Sequence, residues 1–133
     1  IAWWPGVAVK PGSVSAELSN ITDVTATCLD VAGVPYPSHF EGRTVLPLAG
    51  RSLLPVLKGA PRTGHESLCW ATSGSRAVRV GHWKLVSGRN GPWELYDLAA
   101  DRTELDDLAG QQPERVQAME RIFEQWKRTD EAK

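Results

Sequence analysis

The groups in this chain that could do chemistry are three histidines, two cysteines and a few clustered carboxylates, and they are scattered. His39, His65 and His82 fall in loops and turns, and none pairs locally with a Ser or Cys in a nucleophile motif. An isolated turn histidine is ordinarily a solvated or capping residue, and His82, between Gly81 and Trp83 at a hairpin tip, is the clearest such case. Cys28 and Cys69 belong to no CxxC pair and have no His at ligand spacing, which argues against a zinc site. Both sit among apolar residues and read as buried thiols; a disulfide between them stays open, because spacing does not fix its geometry. Glu94, Asp97, Asp101 and Glu104 could suggest a hard-cation site, yet their places at a strand end and a helix start fit capping and hairpin roles better. Asp106-Asp107 reads as a solvated face. No GxSxG, P-loop or HExxH pattern occurs. Trp70, Trp83 and Trp93 could stack on sugar rings, but core packing against Phe123 and Trp126 is the better reading. Asn20-Ile21-Thr22 matches a glycosylation acceptor, although Asn20 has a competing use as a helix cap.

The elements that would carry these residues follow from hydrophobic spacing and turn chemistry. Residues 1–6 read as a short buried strand ending in the Pro5-Gly6 turn, with Val7–Val9 as an extension. A helix capped by Ser19 or Asn20 follows, with Ile21, Val24, Cys28 and Val31 as its inward stripe and Gly33 as its stop. Residues 34–64 are rich in Pro and Gly, which excludes long regular elements. One helical turn over 52–57 survives there, with Pro55 in its first turn, and Leu46, Leu48, Leu53, Leu54 and Leu57 read as buried anchors of an ordered connector. Four runs (67–72, 75–80, 83–87 and 93–98), separated by Ser73-Gly74, Gly81-His82 and a Gly-Arg-Asn-Gly-Pro loop, spell an antiparallel meander. Helical spacing of Leu105, Leu108 and Ala109 predicts a helix over 101–109. A longer one opens at Pro113 and presents Val116, Met119, Ile122, Phe123 and Trp126 on one face, with Glu124–Arg128 as an ion pair on the other. The fold class is α+β: a small four-stranded antiparallel sheet packed by a C-terminal amphipathic helix, preceded by an N-terminal strand, helix and Pro/Gly-rich connector.

Composition sets outer bounds. The chain has 133 residues, and 41% of them are hydrophobic, enough for one modest core. Fifteen Lys+Arg against sixteen Asp+Glu leave a formal charge of −1, which offers no basic field to nucleic acid or anionic lipid. No run approaches the roughly 18 apolar residues of a membrane helix. The only Met is Met119 and the chain opens at Ile1 without a visible signal peptide, so the expectation is a processed product, a trimmed form or a piece of something longer.

Several stretches resemble one family. Arg76-Ala77-Val78-Arg79-Val80-Gly81-His82-Trp83-Lys84-Leu85-Val86, then Trp93-Glu94-Leu95-Tyr96-Asp97-Leu98, Asp101-Arg102-Thr103-Glu104 and Asp107-Leu108-Ala109, are similar to the C-terminal subdomain of arylsulfatase-type sulfatases of the alkaline-phosphatase superfamily. Ile1-Ala2-Trp3-Trp4-Pro5-Gly6 looks like the end of that family's catalytic domain. Residues 22–33 and 50–59 resemble its "D-x-x-PT-x-LD-x-AG" and "G-x-SL-x-P-x-L-x-G" segments. The resemblance implies that residues 1–64 are the tail of a catalytic α/β domain plus connector, and 65–133 the C-terminal subdomain. It implies a parent that hydrolyses sulfate esters with formylglycine and calcium, periplasmic or secreted, whose missing N-terminal catalytic domain is this chain's partner. No catalytic or metal residue is expected here, since neither cysteine fits the C/S-x-P-x-R motif. The role is supportive: packing on the large domain, leaving an apolar patch around Ile1–Pro5 and Ile21–Val31, and lining a lip of the substrate pocket with Trp70, Arg76 and His65. The sequence departs from the family at that lip, reading Trp70-Ala71-Thr72-Ser73-Gly74-Ser75-Arg76 where relatives carry Trp-Glu-His-x-Gly-x-Arg, and Ala26 replaces the usual Pro. The alternatives are the same part of a phosphate or phosphonate ester hydrolase, and a stand-alone carbohydrate-binding or structural module.

Overall fold

The computed structural model describes residues 2–7 and 12–131, and the chain divides into two compact units, Ile1–His65 and Glu66–Lys133. The first unit opens irregularly. Residues 2–4 adopt no regular structure and 5–7 form a turn, so the strand expected at 1–6 does not form among the described residues, while Ala8 and Val9 lie outside them. Trp3 is 85% exposed, not buried. The first helix, α1 (Thr22–Ala32), has Ile21 at its N-cap with no side-chain cap, so the expected Ser19 or Asn20 cap falls short by a residue or more; just before it, Asn20 Oδ1 accepts from the Thr22 N–H and Asp23 Oδ2 accepts from the Asn20 N–H. It ends at Gly33, whose φ of 65° belongs to the left-handed region, with N–H bonds from Gly33 to Asp30 and from Val34 to Leu29. Together they make the paired closure that spares the last carbonyls.

The inward face of α1 is not the expected one. Asp23 and Ala26 are its buried residues and Thr27 is half-buried, while Ile21, Val24, Cys28 and Val31 are exposed. Polar partners on the connector decide this orientation. Thr27 Oγ1 accepts from the Leu53 N–H at 2.9 Å, and Ser52 Oγ donates to Asp30 at 2.6 Å. Gly50 lies so close to the start of α1 that a Cβ there would collide with the Thr22 carbonyl. The short α2 (Leu54–Leu57), with Pro55 in its first turn, packs against α1. The connector also holds a two-residue hairpin, β1 (His39–Phe40) and β2 (Arg43–Thr44), too short to be read from spacing. Its leucines are less buried than expected: Leu48, Leu53, Leu54 and Leu57 are half-buried, and Leu46 is exposed.

The second unit is a meander of β3 (Leu68–Thr72), β4 (Ser75–Val80), β5 (Trp83–Ser87) and β6 (Glu94–Asp97), hydrogen-bonded in chain order and antiparallel throughout. Cys69, Val78 and Leu85 line up across the first three strands, and Leu95 faces Leu85 on the fourth. Val78, Leu85 and Leu95 are fully buried against Met119 and Phe123 of α3 (Pro113–Glu131), and Val116, Ile122 and Trp126 pack on the same cluster. The α+β class and its layers are therefore as read: one helix face covers one sheet face. Burying Phe123 alone is worth about 2 kcal/mol on area grounds.

Residues 101–109 do not form the expected helix. The Asp101 carboxylate accepts N–H bonds from Thr103, Leu105 and Asp106, folding the segment into a loop. Glu104 takes φ 59°, which no right-handed helix admits, and its carboxylate meets Lys84 at 2.6 Å. Leu105 is left 81% exposed. Asp107, expected to face solvent only, accepts from the Leu95 N–H at 2.9 Å and so caps the outer edge of β6. On α3, Arg128 Nε donates to the backbone carbonyl of Glu124 in place of the expected carboxylate pair. No helix among the described residues is long and apolar enough to cross a membrane.

Candidate functional site

The three lip residues lie in different settings. His65 closes the first unit. Its Nε2 is 2.7 Å from Asp23 Oδ1 and its side chain is nearly buried, so it is neither solvated nor a simple cap. Trp70 stands partly exposed on β3, the open edge of the sheet, opposite Ala77. Arg76 begins the inward run of β4, and its guanidinium carbon lies 4.1 Å from the centre of the Trp93 ring, a cation–π stack. Trp93 itself meets Phe123 edge-on at 5.7 Å and donates to Glu120 at 3.0 Å, and Trp83 packs on the core beneath Arg115. Trp83 and Trp93 are thus core residues, and no three-tryptophan platform exists.

Around His65 is the densest polar cluster of the first unit. Asp23 Oδ1 accepts from His65 and from the Arg51 N–H, and Oδ2 accepts from Asn20 and the Arg62 guanidinium. Burial by itself would raise the Asp23 pKa, but bonds from the Arg51 N–H, the His65 ring and the Asn20 N–H outweigh it and hold the carboxyl at about 2. Arg62 also donates to the Leu18 and Arg51 carbonyls. This cluster ties α1 to the second half of the connector and to the residues just before the helix, which makes it a structural clamp. Nothing local announced it, because Asp23 and His65 are 42 residues apart.

The remaining candidates are used up structurally. Cys28 is exposed, correcting the buried reading, and Cys69 is half-buried; both are free thiols. Burial pushes the Cys69 thiol up to about 11, so it is no nucleophile near neutrality. Tyr96, raised to about 12 by burial and then by Glu94 beside it, donates to that carboxylate. Among the described residues no group of three His, Cys, Asp or Glu side chains could hold a metal ion, and Glu94, Asp97, Asp101 and Glu104 each have a capping or pairing partner. His82 is 54% exposed, 3.9 Å from Asp97.

Against known proteins, the family described as "N-sulphoglucosamine sulphohydrolase, C-terminal" matches residues 1–131. The chain belongs to this sulfatase C-terminal family. Its relatives include an uncharacterized sulfatase of Schizosaccharomyces pombe, 33% identical over 130 residues, covering 89% of this chain and 22% of the relative. Arylsulfatase K of Danio rerio is 28% identical, covering 89% and 24%. A solved Bacteroides thetaiotaomicron protein, described under the metabolism of multiple glycosaminoglycans, has the same fold, with a TM-score of 0.60 at 23% identity over 79% of this chain and 24% of that one. The chain therefore spans less than a quarter of the length of these relatives. The sulfatase C-terminal assignment agrees with the sheet-and-helix second unit. The Arg76–Arg79 run lies in β4 and Glu94–Asp97 is β6, the strands that carry Val78 and Leu95 into the core.

Proposed function

We propose that this chain is the C-terminal part of an arylsulfatase-type sulfuric ester hydrolase, where it packs on the catalytic domain and lines one side of the substrate pocket. The observation that carries this reading is the family match over residues 1–131. In it, residues 1–64 close the catalytic α/β domain and connect it to the subdomain formed by 65–133. The exposed apolar face of α1 (Ile21, Val24 and Val31), together with Trp3, supplies surface for that packing. Trp70 and Arg76, on the β3–β4 hairpin, are the lip residues; His65 serves the lip only by holding its connector in place through Asp23.

Sulfatase chemistry draws on formylglycine and calcium, and this chain's residues fit neither. A C-x-P-x-R motif at Cys28 would need Pro and Arg where Asp30 and Ala32 stand; at Cys69 it would need them at Ala71 and Ser73. Among the described residues no three His, Cys, Asp or Glu side chains are grouped to hold a metal ion, and Asp101, Glu104 and Asp107 are taken up in caps and a pair. Both groups therefore belong, in this reading, to the catalytic domain, and no reaction step is assigned to the residues described above. The test compares the purified 133-residue chain with the longer enzyme that contains it, on 4-nitrophenyl sulfate, 4-nitrophenyl phosphate and a phenyl phosphonate monoester. The chain alone is expected to turn over none, and the longer enzyme to prefer the sulfate. Turnover by the chain alone, or a preference for phosphate or phosphonate, overturns the reading.

A further inference from the structure

The two edges of the second unit's sheet end differently. Alternate residues of an antiparallel strand turn their N–H and C=O groups to opposite sides. The two-residue turns 73–74 and 81–82 close on bonded pairs, Thr72 with Ser75 and Val80 with Trp83, which fixes the count. On β6 it turns the main chain of Leu95 outward. There the Leu95 N–H donates to Asp107 at 2.9 Å and its carbonyl accepts from the Leu108 N–H at 2.8 Å. On β3 the same count turns Cys69 and Ala71 outward, and among the described residues no hydrogen bond meets either main chain from that side. Exposed edges are ordinarily blunted by charge, proline or a bulge. Leu68-Cys69-Trp70-Ala71-Thr72 has no charge and no proline, and its register with β4 runs without a break.

A strand of this kind fits a second copy of itself. With Trp70 opposite Trp70 of the second copy in antiparallel order, Cys69 faces the second copy's Ala71. These outward residues then exchange N–H and C=O bonds with one another. The two Trp70 side chains form the closer, non-hydrogen-bonded kind of cross-strand pair, in which aromatic rings pack well. Trp70 is 39% exposed and shares its sheet face with Ala77 and Val86, its half-buried neighbours on β4 and β5. That apolar row continues through the pair into the same row of the second copy. A residue on a two-fold axis meets its own kind, so a charge there would repel, and the neutral β3 suits self-pairing where a charged strand would suit a different partner. We propose that β3 pairs with β3 of a second copy of this chain, joining two four-stranded sheets into one across a two-fold axis. The pairing rests on the strand alone, not on the reaction proposed above.

The test is sedimentation velocity of the 133-residue chain as its concentration rises, in reductant so that the exposed Cys28 links no chains. Five-residue strands make a small contact, so half-association is expected at about 0.1 mM. Ala71→Pro removes an outward N–H and no bond to β4, and should weaken association by about 10-fold or more with the near-UV circular dichroism unchanged. Trp70→Lys and Trp70→Glu should each stay monomeric alone. Their equimolar mixture should associate to within about 10-fold of the parent, because a two-fold pair sets residue 70 against residue 70. A parent chain still monomeric at about 1 mM, association undiminished in Ala71→Pro, or a mixture that stays monomeric overturns the proposal. Should Ala71→Pro lose its native dichroism, the Trp70 mixture decides alone. A dimer lost in Ile21→Asp/Val24→Asp and kept in both Trp70 variants would belong to the face of α1, and that too overturns it.

Discussion

Asp23 lies fully buried, where an unpartnered carboxylate would lose several kcal/mol of solvation. It stays charged because Arg51, Asn20, His65 and Arg62 saturate both oxygens. Replacing it as Asp23→Asn removes the buried carboxylate facing Arg62, whose side chain is 2% exposed, leaves Glu17 at 3.9 Å as the remaining counter-charge, and should cost about 3–5 kcal/mol of stability in urea titrations. The pH dependence follows from the sign of the shift. A folded pKa of about 2 against an ordinary 3.8 means the stabilisation is complete above pH 4 and disappears as the pH falls from 4 to 2. The loss should amount to about 2 kcal/mol, and Asp23→Asn should abolish this dependence; an unchanged acid limb in the variant would show that Asp23 does not carry it. None of this was legible in the sequence. The carboxylate sits in an ordinary first helical turn, and its partners come from a connector whose path no local pattern specifies.

Elements were legible in proportion to how far their own residues dictate them. The meander is written in alternation and two-residue turns, so β4, β5 and the hairpins stand where β-branched and Gly residues place them. The helix α3 is equally plain, since five apolar residues at helical spacing leave one face to bury. The spacing over 101–109 is just as helical, yet three N–H groups turn to the Asp101 side chain, the usual competition between a short acidic side chain and the helix ladder. For α1 the stripe was real but points outward, because Asp23 and Thr27 found stronger partners than Ile21 or Val24 did. Glu104 provides a test of the loop. Its left-handed φ of 59° favours glycine, and its ion pair with Lys84 is partly exposed and worth about 0–1 kcal/mol. Glu104→Gly should therefore be nearly neutral in thermal unfolding, whereas Glu104→Ala should be about 1 kcal/mol less stable than the glycine variant. Equal melting of the two would mean that the loop does not hold Glu104 in that conformation.

At the scale of the whole chain, this sequence spans less than a quarter of the length of its relatives, and the proposed lip is the part of a pocket that it would carry. Arg76 and Trp70 could be singled out by family resemblance, but the stack of Arg76 on Trp93 could not, since Trp93 reaches it only through the fold. The exposed face of α1 bears on the same division. Ile21 is 80% exposed and Val24 51%, so substituting them with Asp removes almost no contact within this chain. Ile21→Asp/Val24→Asp should leave its stability within about 0.5 kcal/mol of the parent, as for other surface positions. In the longer sulfatase proposed above, and if α1 packs there as proposed, the same pair would place two charges in an apolar seam, each costing several kcal/mol of desolvation, so soluble yield and sulfatase activity should fall together. Binding of a hydrophobic dye to the 133-residue chain should also decrease with the double substitution, because the apolar helix face is part of what the dye covers. If the longer enzyme tolerates both charges with full activity, α1 faces water there too, and the packing surface must be sought elsewhere on the chain.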